Sequence, residues 1–428
     1  MADPVVVAVE QAHRSEWGAV LATVARLLDG DVATAEECTQ EAFEAALRTW
    51  GERGIPAKPG AWLTTTARNR ALDRVRREAA MRARYPDLVR DEADPDAPPG
   101  SEEDDVIVDD RLRLVFTCCH PALAPESRIA LTLRLICGLR TEEIARAFLV
   151  PEPTMAARIT RSKKKILAAG IPYRVPESED LPERLDGVLT VIHLVFTAGY
   201  AGGGEQFVRV DLVERALDLA RVLAVLMPRE PEALGLLALL ELTDARRAAR
   251  LDADGRLVVL EDQDRTLWDR AAIARGEDLL ARAFTTSLRT GAAPGRFLLQ
   301  AAIAGAHDEA PSWAATDWPG IVMLYDRLLA AWPNPVVEVN RAVAVAFASG
   351  PQAGLDLLDV LAGREDLRSW HYLPAAQADL LRRLGRDAPA ARAYRDALGL
   401  VSDGAEREFL ERRLAEVDPE ADRPAPGL

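Results

Sequence analysis

Side chains that could bind phosphate groups are concentrated in two blocks of this 428-residue chain. It has only four lysines, and three are consecutive, Lys163, Lys164 and Lys165. Residues 51–90 carry ten bases and four acids, and residues 111–176 carry twelve bases and four acids, although the formal net charge of the chain is −15. Clustered lysine and arginine are typical of nucleic-acid binders. Either cluster taken alone also fits a solvated helix face, so the elements that carry them decide between the two interpretations.

Cysteine and histidine offer a different chemistry, that of a metal site. Cys118, Cys119, His120 and Cys137 are the candidate ligands. Neighbouring helical residues point about 100° apart, and no CxxC or HxxxC spacing occurs, so core packing is favoured over zinc binding. The glycines of residues 198–206 lack a P-loop lysine and a preceding strand. We therefore expect no catalytic residue, no metal and no cofactor.

The periodicity of the chain is helical. Glycine and proline punctuate it, and only "RLVVLED" at residues 256–262 reads as a short strand, so an all-α protein is predicted. No run of 18 apolar residues is present, and the acidic N-terminus does not resemble a signal peptide. Four cysteines do not make a disulfide framework. A cytoplasmic protein that does not enter a membrane is expected.

The first basic block belongs to a segment of about four helices at roughly residues 8–90. One helix is predicted from Thr34 to Trp50, with the Thr34 side chain as its cap. Gln40 and Glu41 are expected on its exposed side, where Phe43 would need a cover. A basic helix follows the turn "GERGIPAKPG". The apolar stripe of that helix comprises Leu63, Ala67, Ala71 and Val75.

The second basic block contains a helix-turn-helix pattern, "TEEIARAFLVPEPTMAARITRSKKKI", at residues 141–166. Thr141 is expected to cap the first helix. On the second helix the inward face comprises Met155, Ile159, Ser162 and Ile166. The residues that point directly away are Ala157, Thr160, Arg161 and Lys164. A helix of this kind fits the DNA major groove and contacts phosphates with its basic end.

The remaining segments are acidic. Residues 91–110 carry ten acids and no base, which predicts a flexible tether, and residues 177–428 have net charge −13. Three segments in the tail have apolar residues at i, i+4, i+7 and i+8. The middle one contains Ala353, Leu357, Val360 and Leu361. Steps of 32 and 37 residues join Tyr325, Leu357 and Tyr394, which favours tetratricopeptide-like hairpins from about residue 310.

Three motifs in this order resemble a bacterial extracytoplasmic-function (ECF, group IV) RNA polymerase sigma factor. "AEECTQEAF" is similar to region 2.2, "PGAWLTTTARNRALDRVRRE" to regions 2.3–2.4, and "GLRTEEIARAFLVPEPTMAARITRSKKKI" to region 4.2. "FTCCHPALAPESRIALTLRLICGL", "AGIPYRVP" and the long tail resemble the ECF42 group, which has a tetratricopeptide-like extension. The resemblance implies four parts: sigma region 2 at 1–90, the acidic linker at 91–110, sigma region 4 at 111–176 and a larger helical domain at 177–428.

The resemblance also implies roles for single residues. Those matching positions that bind the β′ clamp helices of the polymerase are Glu37, Gln40, Glu41 and Phe43. Those implied to open and read the −10 element are Arg68, Asn69, Arg74, Arg76 and Arg77. Those in the helix that reads the −35 element are Thr154, Ala157, Arg158, Arg161, Lys163 and Lys164. Glu37 stands where Asp is usual, and Pro153 where Gly is usual. Ala156 and Ala157 replace the usual polar pair, so the −35 sequence does not carry over.

The implied partners are core RNA polymerase, through its β′ clamp helices and β flap, promoter DNA, and a protein or peptide partner of the tail. The implied activity is non-enzymatic. A helix-turn-helix regulator with a ligand-sensing helical domain is the alternative, although it would not need "EECTQEAF" before a first basic helix. A tetratricopeptide scaffold would leave both basic blocks unexplained. The tail is expected to control the sigma part in cis, as an inhibitor or as an activator. The short connector "GIPYRVP" favours activation.

Overall fold

The computed structural model describes residues 3–84, 110–148, 150–177, 179–200, 209–401 and 404–418. Throughout these ranges the regular secondary structure is helical, and the extended segment near residue 256 forms only an isolated bridge between Leu251 and Leu257. The all-α prediction is confirmed, and the candidate strand at 256–262 does not form beyond this bridge. No helix in these ranges is both long enough and apolar enough to cross a membrane. The chain forms two units, Met1–Leu194 and Val195–Leu428.

The first unit begins with three long helices and continues with a group of shorter ones. The three long helices are α1 (Pro4–Leu27), α2 (Val32–Arg53) and α3 (Pro59–Arg84). The shorter group comprises α4 (Asp110–Cys118), α5 (Pro125–Leu131), a π-helical turn (Thr132–Ile136), α6 (Thr141–Ala147) and α7 (Glu152–Ala168). A further helix, α8 (Leu181–Tyr200), starts in this unit. The expected acidic linker lies outside the described residues except for Asp110.

The three long helices form one bundle, so the described part of this segment holds three helices where about four were expected. Its core contains Trp17, Phe43 and Trp50, which are almost fully buried. The stripe on α3 continues through Leu63, Ala67 and Ala71 but stops there, since Val75 is 44% exposed. At the start of α2 the cap is Asp31 rather than Thr34, because the Asp31 carboxylate accepts hydrogen bonds from the Ala33 and Thr34 amides at 3.1 Å.

The helix-turn-helix forms as α6 and α7. Thr141 is the first residue of α6 and not its cap, because the N-cap position is Arg140. The Arg140 amide donates a hydrogen bond to the Glu143 carboxylate at 2.7 Å, which stabilises the first turn of the helix. The inward face of α7 agrees with the sequence pattern: Met155, Ile159, Ser162 and Ile166 are all buried. The Ser162 hydroxyl donates to the Arg158 carbonyl at 2.8 Å, which satisfies its buried polar atom.

The two helical groups of the first unit pack against each other. A Cβ atom added to Gly18 of α1 would lie 2.6 Å from the Ile136 carbonyl oxygen, so the backbones are in direct contact there. Gly138 has φ of +70°, and a Cβ on it would lie 2.9 Å from the side chains of His13 and Trp17. The Tyr173 hydroxyl donates to the Ala22 carbonyl at 2.9 Å. The connector "GIPYRVP" is thereby fixed to α1.

The second unit contains ten further helices in its described part. They are α9 (Val210–Leu226), α10 (Pro231–Asp244), α11 (Arg270–Thr290), α12 (Arg296–Glu309), α13 (Trp318–Ala331), α14 (Pro335–Ser349), α15 (Pro351–Leu361), α16 (Tyr372–Arg383), α17 (Asp387–Leu400) and α18 (Gly404–Val417). Helix α10 is buried along most of its length. Its Glu241 is 4% exposed and accepts from Arg221 at 2.8 Å and from Arg275 at 2.9 Å, which joins α9, α10 and α11.

The last six helices follow one another in pairs. Helices α13, α15 and α17 start 33 and 36 residues apart. The inward-facing sides predicted for α13 and α17 agree with the structure, because Ile321, Leu328 and Tyr394 are buried. In α15 the register is different, because Leu358 is fully buried and Val360 is 78% exposed. When Leu358 replaces Leu357 as the repeated position, the steps from Tyr325 to Leu358 and from Leu358 to Tyr394 are 33 and 36 residues. These steps equal the spacing between the starts of α13, α15 and α17.

Candidate nucleic-acid and protein interface

The outward face of α7 is available for a ligand. Thr154, Ala157, Arg161 and Lys164 are exposed, and Arg158 is half-buried beside them. The turn before the helix is held by the Val150 amide, which donates to the Ala145 carbonyl at 3.1 Å. The buried stripe therefore fixes the rotation of α7, and its polar and cationic residues project from one side. We call the exposed residues Thr154, Ala157, Arg161 and Lys164 the recognition face.

Lys163 does not share this exposure. Its side chain is 18% exposed, and its ammonium forms an ion pair with the carboxylate of Glu36 on α2. The other oxygen of that carboxylate accepts from Arg134 in the π-helical turn at 2.6 Å. Glu36 has a side-chain exposure of only 5%. Sequence reasoning placed Lys163 with the DNA-contacting residues, and in this structure it contacts the first bundle.

The basic face of α3 is largely open to solvent. Arg68, Asn69, Arg76 and Arg77 are exposed. Arg74 is different, because its guanidinium binds the carboxylates of Glu37 and Glu41, the latter at 2.8 Å. These two hydrogen bonds raise the pKa of Arg74 above its ordinary value. Arg74 therefore joins α2 to α3 through two acids that were expected to contact a partner.

The residues expected to bind the polymerase divide into two groups. Glu37 is exposed, and Gln40 and Glu41 are half-buried on the same side of α2. We call Glu37, Gln40 and Glu41 the α2 face. Phe43 is 6% exposed, with its ring centroid 5.2 Å from that of His13 and 5.6 Å from that of Trp17. The expectation of an exposed Phe43 is wrong, because the rings of α1 cover it.

The cysteine and histidine candidates lie in the packed interior. Cys38, Cys118, Cys119 and Cys137 are all buried free thiols. Burial raises the pKa of Cys119 to about 11, and its sulfur lies 3.6 Å from the Thr132 hydroxyl. Among the described residues no group of three or more His, Cys, Asp or Glu side chains is arranged to hold a metal ion.

Comparison with known sequences matches three parts of the chain to families. Residues 15–81 match Sigma-70 region 2, and residues 113–166 match Sigma-70, region 4. The first match contains α2 and nearly all of α3, and the second contains α6 and nearly all of α7. These two matches support an ECF-type sigma factor. They support DNA binding and a role in transcription initiation.

The related proteins match this chain over different lengths. Residues 184–284 match a family of unknown function, DUF6596. An uncharacterized protein, R00370, of Rhizobium meliloti (strain 1021) is 41% identical over 383 residues, which is 89% of each chain. A probable ECF RNA polymerase sigma factor, SigI, of Mycobacterium tuberculosis (strain ATCC 25618 / H37Rv) is 28% identical over 205 residues, 45% of this chain and 67% of that protein.

Sequence reasoning missed the contact made by Glu36. Two signals could have found it. Glu36 shares a side of α2 with the apolar residues Val32 and Ala35, and Arg134 interrupts the apolar run "LTLRLICGL". A charged side chain on a buried face needs a partner of opposite charge. Two such residues of opposite charge in the same chain are therefore candidates to bind each other.

Proposed function

We propose that this sigma factor directs core RNA polymerase to promoters whose −35 element is read by the recognition face and whose −10 element is read by the exposed part of α3. The observation that carries the proposal is the division of α7 into a buried stripe and an exposed face containing Arg161 and Lys164. An exposed cationic face on the second helix of a helix-turn-helix suits the major groove. The region 2 match favours this function over that of an ordinary regulator.

The residues proposed for the −35 element are Thr154, Ala157, Arg158, Arg161 and Lys164, with Lys163 added when it is released from Glu36. The residues proposed for the −10 element are Arg68, Asn69, Arg76 and Arg77, and Arg74 supports them by joining α3 to α2. The α2 face is proposed to bind the β′ clamp helices. Phe43 would act from the core by holding the position of α2.

The C-terminal helical domain is proposed to be tetratricopeptide-like and to mark the chain as a member of the ECF42 group. The paired helices α13 to α18, with starts spaced by 33 and 36 residues, support this. Stacked helix pairs create a concave surface that suits a protein or peptide ligand. We propose that this domain controls the sigma part in cis, as an activator that adds a contact to polymerase in the cytoplasm.

Transcription in vitro tests the proposal. The purified chain is mixed with core polymerase and genomic fragments, and the 5′ ends of the RNA are mapped. RNA that starts at a small set of defined positions is expected, with upstream sequences shared at −10 and −35. RNA ends that are the same with and without the chain would contradict the proposal.

A further inference from the structure

A long connection, residues 245–269, joins α10 to α11 in the second unit. It contains three short 3-10 turns and the isolated bridge between Leu251 and Leu257. Connections longer than about 12–15 residues are uncommon in compact domains, and those that occur are usually functional. Within this connection the sequence "RLVVLEDQD", residues 256–264, has four consecutive aliphatic residues followed by acids. We call residues 256–262 the strap.

The two acids at the end of the strap are bound by arginines of two different helices. The Glu261 carboxylate accepts hydrogen bonds from both terminal nitrogens of Arg383 on α16, one of them at 3.4 Å. The Asp262 carboxylate lies 3.3 Å from the guanidinium of Arg413 on α18. A guanidinium presents paired donors that match the two oxygens of a carboxylate. The same arginines would therefore suit an acidic pair on any peptide that lies along these helices.

Helix α18 also binds the aliphatic part of the strap. Arg412 donates a hydrogen bond to the Leu257 carbonyl at 3.1 Å, a main-chain contact that does not depend on the residue type. The Phe409 ring lies 5.9 Å from the Arg412 guanidinium and 5.3 Å from that of Arg413. A groove of about 350 Å³ between α18 and the strap is lined by these three side chains together with Leu257 and Val259. A main-chain donor, an aromatic ring and clustered arginines are features of surfaces that bind extended or acidic peptides.

The strap itself is weakly packed, although the chain on either side of it is anchored. Ala249 and Trp268 are each 3% exposed. Arg265 donates hydrogen bonds to the carbonyls of His307 and Ala310, both at 2.7 Å. Between these anchors every side chain of the strap is exposed or half-buried. Ion pairs that are open to solvent contribute little to stability, so the strap can leave the surface while its anchors stay in place.

We propose that α16 and α18 form a peptide-binding surface whose resident ligand in the free chain is the strap, and that an extended acidic peptide of another protein displaces it. The partner peptide carries aliphatic residues before an acidic pair, because this is the chemistry that the surface already binds. The proposal rests on the peptide-binding role proposed for the C-terminal domain and does not depend on promoter recognition. A partner binds only chains whose surface is free, so its apparent affinity falls with that fraction.

A synthetic copy of the strap tests whether the surface binds peptides. The probe is a fluorescent peptide with the sequence "GRLVVLEDQD" of residues 255–264. In the full chain, Glu261→Gln combined with Asp262→Asn weakens the resident strap and leaves α16 and α18 unchanged. We expect fluorescence anisotropy to show about tenfold tighter binding of the probe to this strap variant than to the parent chain. Asp264→Asn is the control and should leave the affinity unchanged, because asparagine also caps the turn that follows.

A further substitution tests the surface rather than the strap. Arg413→Gln, added to the strap variant, should remove most of the gain in affinity, because the probe loses a partner for its carboxylates. Arg392→Gln, at an exposed arginine of α17, is the matched control and should keep the gain. Equal affinities of the parent chain and the strap variant would overturn the proposal. A gain that is fully kept after Arg413→Gln would also overturn it.

Hydrogen exchange in the parent chain tests displacement directly and decides the matter if circular dichroism shows that the strap variant does not fold. The probe is added at roughly millimolar concentration, which matches the effective concentration of a segment on a short tether. Exchange of the strap amides should become faster, while exchange in α10 should not change. Unchanged exchange of the strap would overturn the proposal.

A sizing column shows whether the strap acts within its own chain. A parent chain that is dimeric and becomes monomeric when the probe is added would overturn occupation in cis, because the strap would then come from a second copy. None of these measurements uses polymerase or DNA. A failure of promoter-specific transcription would therefore contradict the proposed promoter recognition and leave the peptide-binding surface to be decided by the probe.

Discussion

Arg161 and Lys164 lie on the same face of α7 but can recognise different features of DNA. A guanidinium presents a planar pair of donors that matches the edge of guanine, whereas an ammonium is a point charge that suits a phosphate. Arg161 lies in the middle of the recognition face and Lys164 at its basic end. From position and chemistry together we propose base reading by Arg161 and backbone binding by Lys164.

Alanine substitutions separate these two roles. Lys164→Ala should weaken binding about equally on all sequences and reduce the slope of log affinity against log salt concentration by about one unit. Arg161→Ala should change the sequence preference, with a loss of about 1–3 kcal/mol on the preferred site. Fluorescence anisotropy on promoter and scrambled duplexes measures both effects. Equal losses on the two duplexes for Arg161→Ala would rule out base reading.

Glu41 is the residue of the α2 face whose environment the structure defines best. It pairs with Arg74 at 2.8 Å and is half-exposed, so the pair contributes only about 0–1 kcal/mol to stability. Glu41→Gln should therefore leave the melting temperature almost unchanged and weaken the binding of core polymerase. Glu44→Gln serves as the exposed control on α2. Pull-down with immobilised core polymerase measures the effect, and equal retention of both variants would contradict the proposed role.

At the scale of the element, helix α10 shows how close packing controls the second unit. Gly235 lies against the backbone of α12, and a Cβ on it would be 2.8 Å from the Leu298 nitrogen and Cα. The Glu232 carboxylate accepts from the Phe297 amide at 2.9 Å and holds the start of α12 against α10. Burial raises the pKa of Glu232. Two helices therefore approach at a distance that only glycine permits.

Two glycine substitutions should have opposite effects on stability. Alanine is favoured over glycine within a helix by about 1 kcal/mol. Gly235→Ala should nevertheless lower the melting temperature, since overpacking costs about 1–3 kcal/mol. Gly399→Ala, where no atom lies within 4 Å of the new Cβ, should leave it unchanged or raise it. Thermal denaturation followed by circular dichroism compares them. A melting temperature for Gly235→Ala at or above that of the parent would show that α12 can move.

At the scale of the whole molecule, the question is what the second unit contributes to the first. The connector that contains Tyr173 is bonded to α1, and α8 begins immediately after it. Arg184 of α8 donates to the Phe116 carbonyl at 2.8 Å, so the start of α8 belongs to the fold of region 4. A shortened chain should therefore end after Tyr200 and not at the end of the region 4 match.

Transcription by the chain ending at Tyr200 tests control in cis. If the C-terminal domain activates, the shortened chain should give less promoter-specific RNA than the full chain at equal concentration. The control is circular dichroism, which should show that the shortened chain is folded. Higher activity from the shortened chain would indicate inhibition instead, and equal activity would exclude control by this domain under those conditions.

The periodicity of the sequence was enough to determine the elements and one functional face. The all-α class, the helix-turn-helix and the buried stripe from Met155 to Ile166 follow from residues three and four apart, which share a side of any helix. The exposure of Arg161 and Lys164 follows from the same geometry. The prediction was wrong where the pattern allowed two helical registers. In α15 either Leu357 or Leu358 could face inward, and the structure buries Leu358.

Only the tertiary structure decided which distant residues meet. Glu36 and Lys163 are 127 positions apart, and no local pattern specifies such a contact. Phe43 is buried because His13 and Trp17 of another helix cover it, and Lys163 is paired because region 4 packs on region 2. Helical periodicity depends on neighbours along the chain, whereas burial and ion pairing depend on the packing of elements, which the sequence pattern does not display.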